Sequence, residues 1–102
     1  MNLAILQKLH GKVITIEADS VLDLNAFQTF LSASSLANTT DSNSIEVDLE
    51  KTRQIRDSGL AMLQLLRKRT RWSCPIRFVN WDPVVHGRLA ASRIGTQFQF
   101  TS

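Results

Sequence analysis

The sequence predicts an α/β fold. It reads as a single domain with a mostly parallel central sheet, an antiparallel N-terminal hairpin, and helices packed on the sheet. Three observations carry that expectation. Two strand-like segments open the chain on either side of His10–Gly11. Strand-like and helix-like stretches then alternate to the end of the sequence, which implies crossover connections between parallel strands. Finally, 102 residues with 43% hydrophobic and 21% charged content suffice for one core, without the polarity of a disordered chain.

Each element has a local reason. Residues 2 to 8 (NLAILQK) and 12 to 17 (KVITIE) form the hairpin, with Ile14 and Ile16 keeping the two-residue period of one face. Asp23 is a favoured N-cap and opens a first helix over LNAFQTFLSA, where Leu24, Phe27, Phe30 and Leu31 fall at helical spacing. Residues 34 to 44, SSLANTTDSNS, read as a surface loop, because their side chains compete with regular backbone bonding. Ile45, Val47 and Leu49 alternate as in a strand, and a second helix follows from about Ser58 to Arg71. Its apolar residues Leu60, Met62, Leu63, Leu65 and Leu66 cover more than half the circumference, so it should be largely buried. Pro75-Ile-Arg-Phe-Val is another strand, and Asp82-Pro83 starts a third helix with proline where its missing N–H costs nothing. QFQF near the end makes a last short strand. No repeat or linker divides the chain, and helices on the sheet leave no room for a large internal ligand cavity.

Composition excludes several functions. No apolar run approaches the roughly 20 residues that span a bilayer, so no membrane insertion is expected. The opening MNLAILQKLHGK has no basic leader or cleavage site and does not read as a signal peptide. The single cysteine, Cys74, suits a reducing cytoplasm. His10 and His86 have no ligand-like neighbours, so neither a metal nor any other cofactor is expected. The scattered glycines form no phosphate-cradling loop, and Cys74 reads as a small buried thiol; the chain is not expected to be an enzyme. Net charge is +3, concentrated in Arg67, Lys68, Arg69 and Arg71 at the end of the second helix. Those residues complement the helix dipole there; the alternative is a basic docking surface for an acidic protein or a phosphate. No aromatic residues interleave with them as a stacking platform, which argues against nucleic acid.

What remains is the junction Asp57-Ser58-Gly59. A helix start has unpartnered N–H groups with partial positive charge, so Asp57 or Ser58 can cap it. A phosphate on Ser58 would be favoured by the same groups and would add about −1.5 to −2 charges. Arg53 and Arg56 are close enough in sequence to pair with Asp57 or with such a phosphate.

The string IEVDLEKTRQIRDSGLAMLQLL resembles the central motif of STAS domains, the anti-sigma-factor antagonist fold. There an apolar strand ends in Asp-Leu or Asn-Leu, and Asp-Ser-Ser-Gly-Leu opens a buried helix. SVLDLNAFQTF is similar to the family's Gly-Glu-Leu-Asp turn, with Leu22 and Asp23 matching and Ser20 and Val21 departing. NWDPVVHGRLAASRIG is similar to its late segment, a proline-started helix followed by Ser-Gly-hydrophobic. The resemblance implies a cytoplasmic, non-enzymatic regulatory module that binds a protein partner, a serine kinase or anti-sigma-like factor. Phosphorylation at the second helix start releases that partner, and a phosphatase resets the cycle. It further implies a partner-binding face of Asp23, Arg53, Arg56, Asp57, Ser58 and Gly59. In the ungapped register Asp57 takes the phosphorylated serine's position; a shift of one residue makes Ser58 the acceptor. The alternative is a constitutive STAS subunit of a bacterial lipid-transport ABC complex, in which the permanent charge of Asp57 fixes an interface.

Overall fold

The computed structural model describes residues 6–10, 13–40 and 43–101. Its main sheet has five strands in the order β1-β2-β4-β6-β7. These are β1 (Leu6–His10), β2 (Val13–Glu17), β4 (Ser44–Asp48), β6 (Ile76–Val79) and β7 (Gln99–Thr101). β1 pairs antiparallel with β2, and every other neighbour in this sheet is parallel. The beginning of the expected first strand, and Gly11 and Lys12 of its turn, lie outside the described residues.

Register explains how the core is layered. Ile14, Ile45 and Ile76 stand side by side across three strands, and Ile16, Val47 and Phe78 form the next row. All six are buried, whereas Thr15, Glu46 and Arg77 point to the opposite, half-exposed face. There Arg77 Nη2 lies 3.2 Å from Glu46 Oε1, an opposite-charge pair between adjacent strands. The period of two therefore assigns one face of each inner strand to the core.

The helices are α1 (Phe27–Thr39), α2 (Asp57–Arg69) and α3 (Pro83–Ala91). A 3-10 turn, Leu24–Ala26, leads into α1, and Asp23 caps it by accepting the Asn25 N–H at 2.9 Å. Two expectations for α1 need correction. The helix continues through Ser34–Thr39, where a loop was expected. Its hydroxyls bond back to preceding turns instead of competing with them: Ser34 Oγ donates to Leu31 O, and Thr39 Oγ1 to Ser35 O. The buried face is also different. It runs through Ala26, Phe30, Ala33, Ser34 and Ala37, while Leu24 is 62% exposed and Phe27 stands at the surface. Small residues let α1 come close to its neighbours, and the larger apolar residues at its start turn outward.

α2 is less buried than its composition suggests: Gly59, Leu63, Leu66 and Arg67 are buried, and Leu60, Met62 and Leu65 only partly. The basic cluster at its end is likewise not uniformly solvated. Arg67 is 3% exposed, its Nη2 donating to Arg71 O at 2.9 Å, with Trp72 4.6 Å away over the guanidinium. Arg71 reaches back to the Ala37 carbonyl, and Asn38 bonds both Arg69 O and the Arg71 N–H, tying the end of α1 to the end of α2.

Two further strands, β3 (Val21–Leu22) and β5 (Gln54–Ile55), pair in parallel as a separate two-stranded sheet. No sequence signal announced them, because two residues are too few to display a period.

Candidate functional site

The parallel strands β2, β4 and β6 end at one edge of the sheet, where open α/β sheets expose their loops. Hydrogen bonds weld those loops together. Ala18 N–H donates to Asp48 O and Leu49 N–H to Val79 O, both at 2.9 Å. Asp48 Oδ1 accepts the Glu50 N–H and the side-chain amide of Asn80. Asn80 has φ of 60°, a left-handed conformation that asparagine tolerates better than most residues. Thr52 is fully buried and donates its hydroxyl to Asp19 O at 2.8 Å. Arg53 and Gln54 N–H groups share Ser20 O, and β5 then runs beside β3 until Arg56 N–H reaches Leu22 O.

This scaffold aims the start of α2. Arg56 is the N-cap residue, extended at φ −80° and ψ 165°, but its side chain caps nothing. Asp57 is the first helical residue rather than the cap, and Ser58 is the second, half-buried. The expectation that Asp57 or Ser58 caps the helix is therefore corrected: the N-cap is Arg56, and among the described residues no side chain accepts from the initial N–H groups of α2. The Asp57 side chain is 95% exposed and turns instead to α3, where Arg88 Nη2 donates to its Oδ1 at 2.6 Å. Arg88 also donates from Nε to Ile55 O, so it ties α3 to both β5 and α2.

Of the residues singled out by sequence, Asp23 and Gly59 meet most closely. Gly59 is buried, and a Cβ there would overlap the Leu22 carbonyl oxygen and crowd Asp23 N. The glycine thus admits the chain's own β3, not an outside partner. Arg53 does not pair with Asp57; its Nη1 donates to Glu50 O and lies 3.7 Å from Asp82 Oδ2. Arg56 is exposed at the helix start. Arg88, which sequence reasoning missed, supplies the pairing expected of Arg53 and Arg56; it lies 31 residues from Asp57, a separation no local pattern reveals.

The resulting face carries three helix-opening aspartates, Asp23, Asp57 and Asp82, among Arg53, Arg56 and Arg88. Exposed apolar side chains flank it: Leu24 and Phe27 on one side, and Val84, 75% exposed, on the other. Val84 also borders a shallow cleft of about 220 Å³ with Arg53, Gln54, Ile55 and Arg88. Charge and apolar surface mixed in this way suit contact with another protein.

Cys74 is buried; burial pushes its thiol up, against opposing effects of Arg71 and Arg67, so it stays protonated at neutral pH. His86 lies in a ring cluster with Trp81 and Phe100, at centroid separations of 5.6 and 4.8 Å. Among the described residues no group of three His, Cys, Asp or Glu side chains could hold a metal, and no helix is long and apolar enough to cross a membrane.

No protein-family model and no curated relative matches this sequence. Solved structures do match its fold. A STAS domain protein from Planctomyces limnophilus superposes with a TM-score of 0.78 at 14% identity, covering 96% of this chain and 88% of its own. The unphosphorylated anti-sigma factor antagonist SpoIIAA gives 0.71 at 13% identity, with 97% and 88% covered. The phosphorylated form of SpoIIAA, from Bacillus, gives 0.68 at 15%, with 97% and 92% covered. The chain has the fold of the anti-sigma-factor antagonist, or STAS, domains.

Proposed function

We propose that the chain is a non-enzymatic, protein-binding regulator of the partner-switching type, with Ser58 as its phosphorylation site. The observation that supports this most is the open start of α2. It leaves a half-buried hydroxyl on the first turn of a helix whose N–H groups no side chain caps among the described residues. Phosphate oxygens at that position gain those N–H groups and the positive end of the helix dipole. Arg88 is already at hand beside Asp57 and gives the phosphate a guanidinium to pair with. The likeness to SpoIIAA, solved in phosphorylated and unphosphorylated forms, points the same way.

In this reading the unmodified face binds a serine kinase or anti-sigma-like partner through Asp23, Arg53, Arg56, Asp57 and Ser58, with Leu24, Phe27 and Val84 as apolar contacts. Added negative charge beside Asp57 repels that partner, a phosphatase restores the first state, and both occur in the cytoplasm. The test is affinity purification of the tagged protein from its native cells, with mass spectrometry of bait and companions. The expected result is a kinase or phosphatase among the companions, phosphate on a Ser58 peptide, and partner binding retained by Ser58→Ala but lost in Ser58→Asp. Equal binding by the two variants, with ATPase and transporter subunits copurifying, would replace this reading with the constitutive subunit that a permanently charged Asp57 also suits.

A further inference from the structure

At the other end of α2 lies a cleft of about 460 Å³ that the proposed switch does not use. One wall is the outward face of α2, with Gln64, Leu65 and Lys68. Ile94 from the 3-10 turn after α3 and Trp72 also line the cleft. Trp72 is 73% exposed, an unusual position for so large an apolar ring. It is nevertheless held in place, because the Arg67 guanidinium packs beneath it at 4.6 Å.

Charge in the cleft is one-sided. Arg67 and Lys68 both line it and no lining residue is acidic. Arg67 is nearly fully buried, and its Nε has no hydrogen-bond acceptor among the described residues. Burial pushes its guanidinium below the usual range, while its Nη2 donates to the carbonyls of Thr70 and Arg71. An exposed aromatic ring resting on a guanidinium, an aliphatic floor and two cations with no acidic residue in the lining together describe a receptor for a group that is both apolar and anionic.

We infer that this cleft docks a short acidic segment of a partner protein, its carboxylates meeting Lys68 and the Arg67 edge while an aromatic or aliphatic side chain lies between Trp72 and Leu65. Charge complementarity selects this occupant over a neutral or basic one. Lys68 is ~15 Å along α2 from Ser58, at a helical rise of about 1.5 Å per residue. A partner could therefore be held at this end irrespective of the state of Ser58, so the inference does not depend on phosphorylation.

The test uses a Trp81→Phe background, in which Trp72 is the one remaining tryptophan. Its emission is followed during titration with the blocked peptide Asp-Glu-Leu-Phe-Glu-Asp. The expected result is a saturable blue shift, weakened about tenfold by Lys68→Glu and by high salt, and unchanged by Ser58→Ala. Three results would overturn the inference: no saturable change up to about 1 mM peptide, equal binding of the charge-reversed Lys-Arg-Leu-Phe-Arg-Lys, or full binding by Lys68→Glu. Saturation by phenylacetate with none by the peptide would also overturn it, assigning the cleft to a small aromatic acid. Lys68 is exposed, so its charge reversal leaves the core untouched. Trp81 is partly buried against His86 and Phe100, so phenylalanine keeps an aromatic ring there, and an unchanged far-UV circular dichroism spectrum checks that the Trp81→Phe background is folded.

Discussion

The starts of α2 and α3 share a backbone and differ in what closes them. The N-cap residues Arg56 and Asp82 adopt nearly the same extended conformation, with ψ of 165° and 167°. Asp82 accepts the Val85 N–H at 2.8 Å and proline occupies the next position, so α3 is sealed by its own residues. Arg56 offers no acceptor, and the acid that follows it turns away to Arg88. One side-chain difference on a common geometry thus makes one helix start self-sufficient and leaves the other open. The open one is also the more firmly seated, since Gly59 packs on the Leu22 carbonyl while the helical Gly87 of α3 has nothing within 4 Å of a Cβ position.

That contrast can be broken at the glycines with the largest effect. Gly59→Ala should destabilise the protein by about 3 kcal/mol in urea denaturation, because the new methyl must displace backbone. Gly87→Ala, into open space on a helix, should instead stabilise it by about 0.8 kcal/mol. Removing the cap in Asp82→Ala should lower stability by about 1 kcal/mol. The reciprocal change, Arg56→Asp, gives α2 the acceptor that α3 already has; it should add about 0.7 kcal/mol and weaken any gain from phosphate at Ser58. Both are read as shifts in denaturation midpoint at constant slope. The smallest effect is expected of Asp57→Asn, no more than about 0.5 kcal/mol, since its ion pair with Arg88 is solvent-exposed and screened. A double-mutant cycle with Arg88→Gln isolates that coupling.

Legibility in the sequence followed the range of the interactions. The alternation at Ile45, Val47 and Leu49 marks three buried residues, and Asp23 and Asp82 cap where their positions indicate. These signals are local. The end of α1 was not legible, because the hydroxyls of Ser34 and Thr39 are as able to bond within a helix as to leave it. The β3–β5 pair, the Arg88–Asp57 bridge and the burial of Arg67 beneath Trp72 were not legible either. The first two join segments about thirty residues apart, and the third depends on which side of α2 the rest of the chain covers. Of the candidate site, the position of the helix start and its charged residues could be read, but not which arginine serves which acid.

The contact between Gly59 and the Leu22 carbonyl has a consequence for the phosphorylation proposed at Ser58. A helix resting directly on a strand's backbone can neither slide nor tilt inward, so a modification on its first turn has little shape to change. The two forms should be isomorphous in a crystal and coelute in gel filtration. Isoelectric focusing would separate them, and a partner of the proposed kind would tell them apart by surface potential rather than by shape.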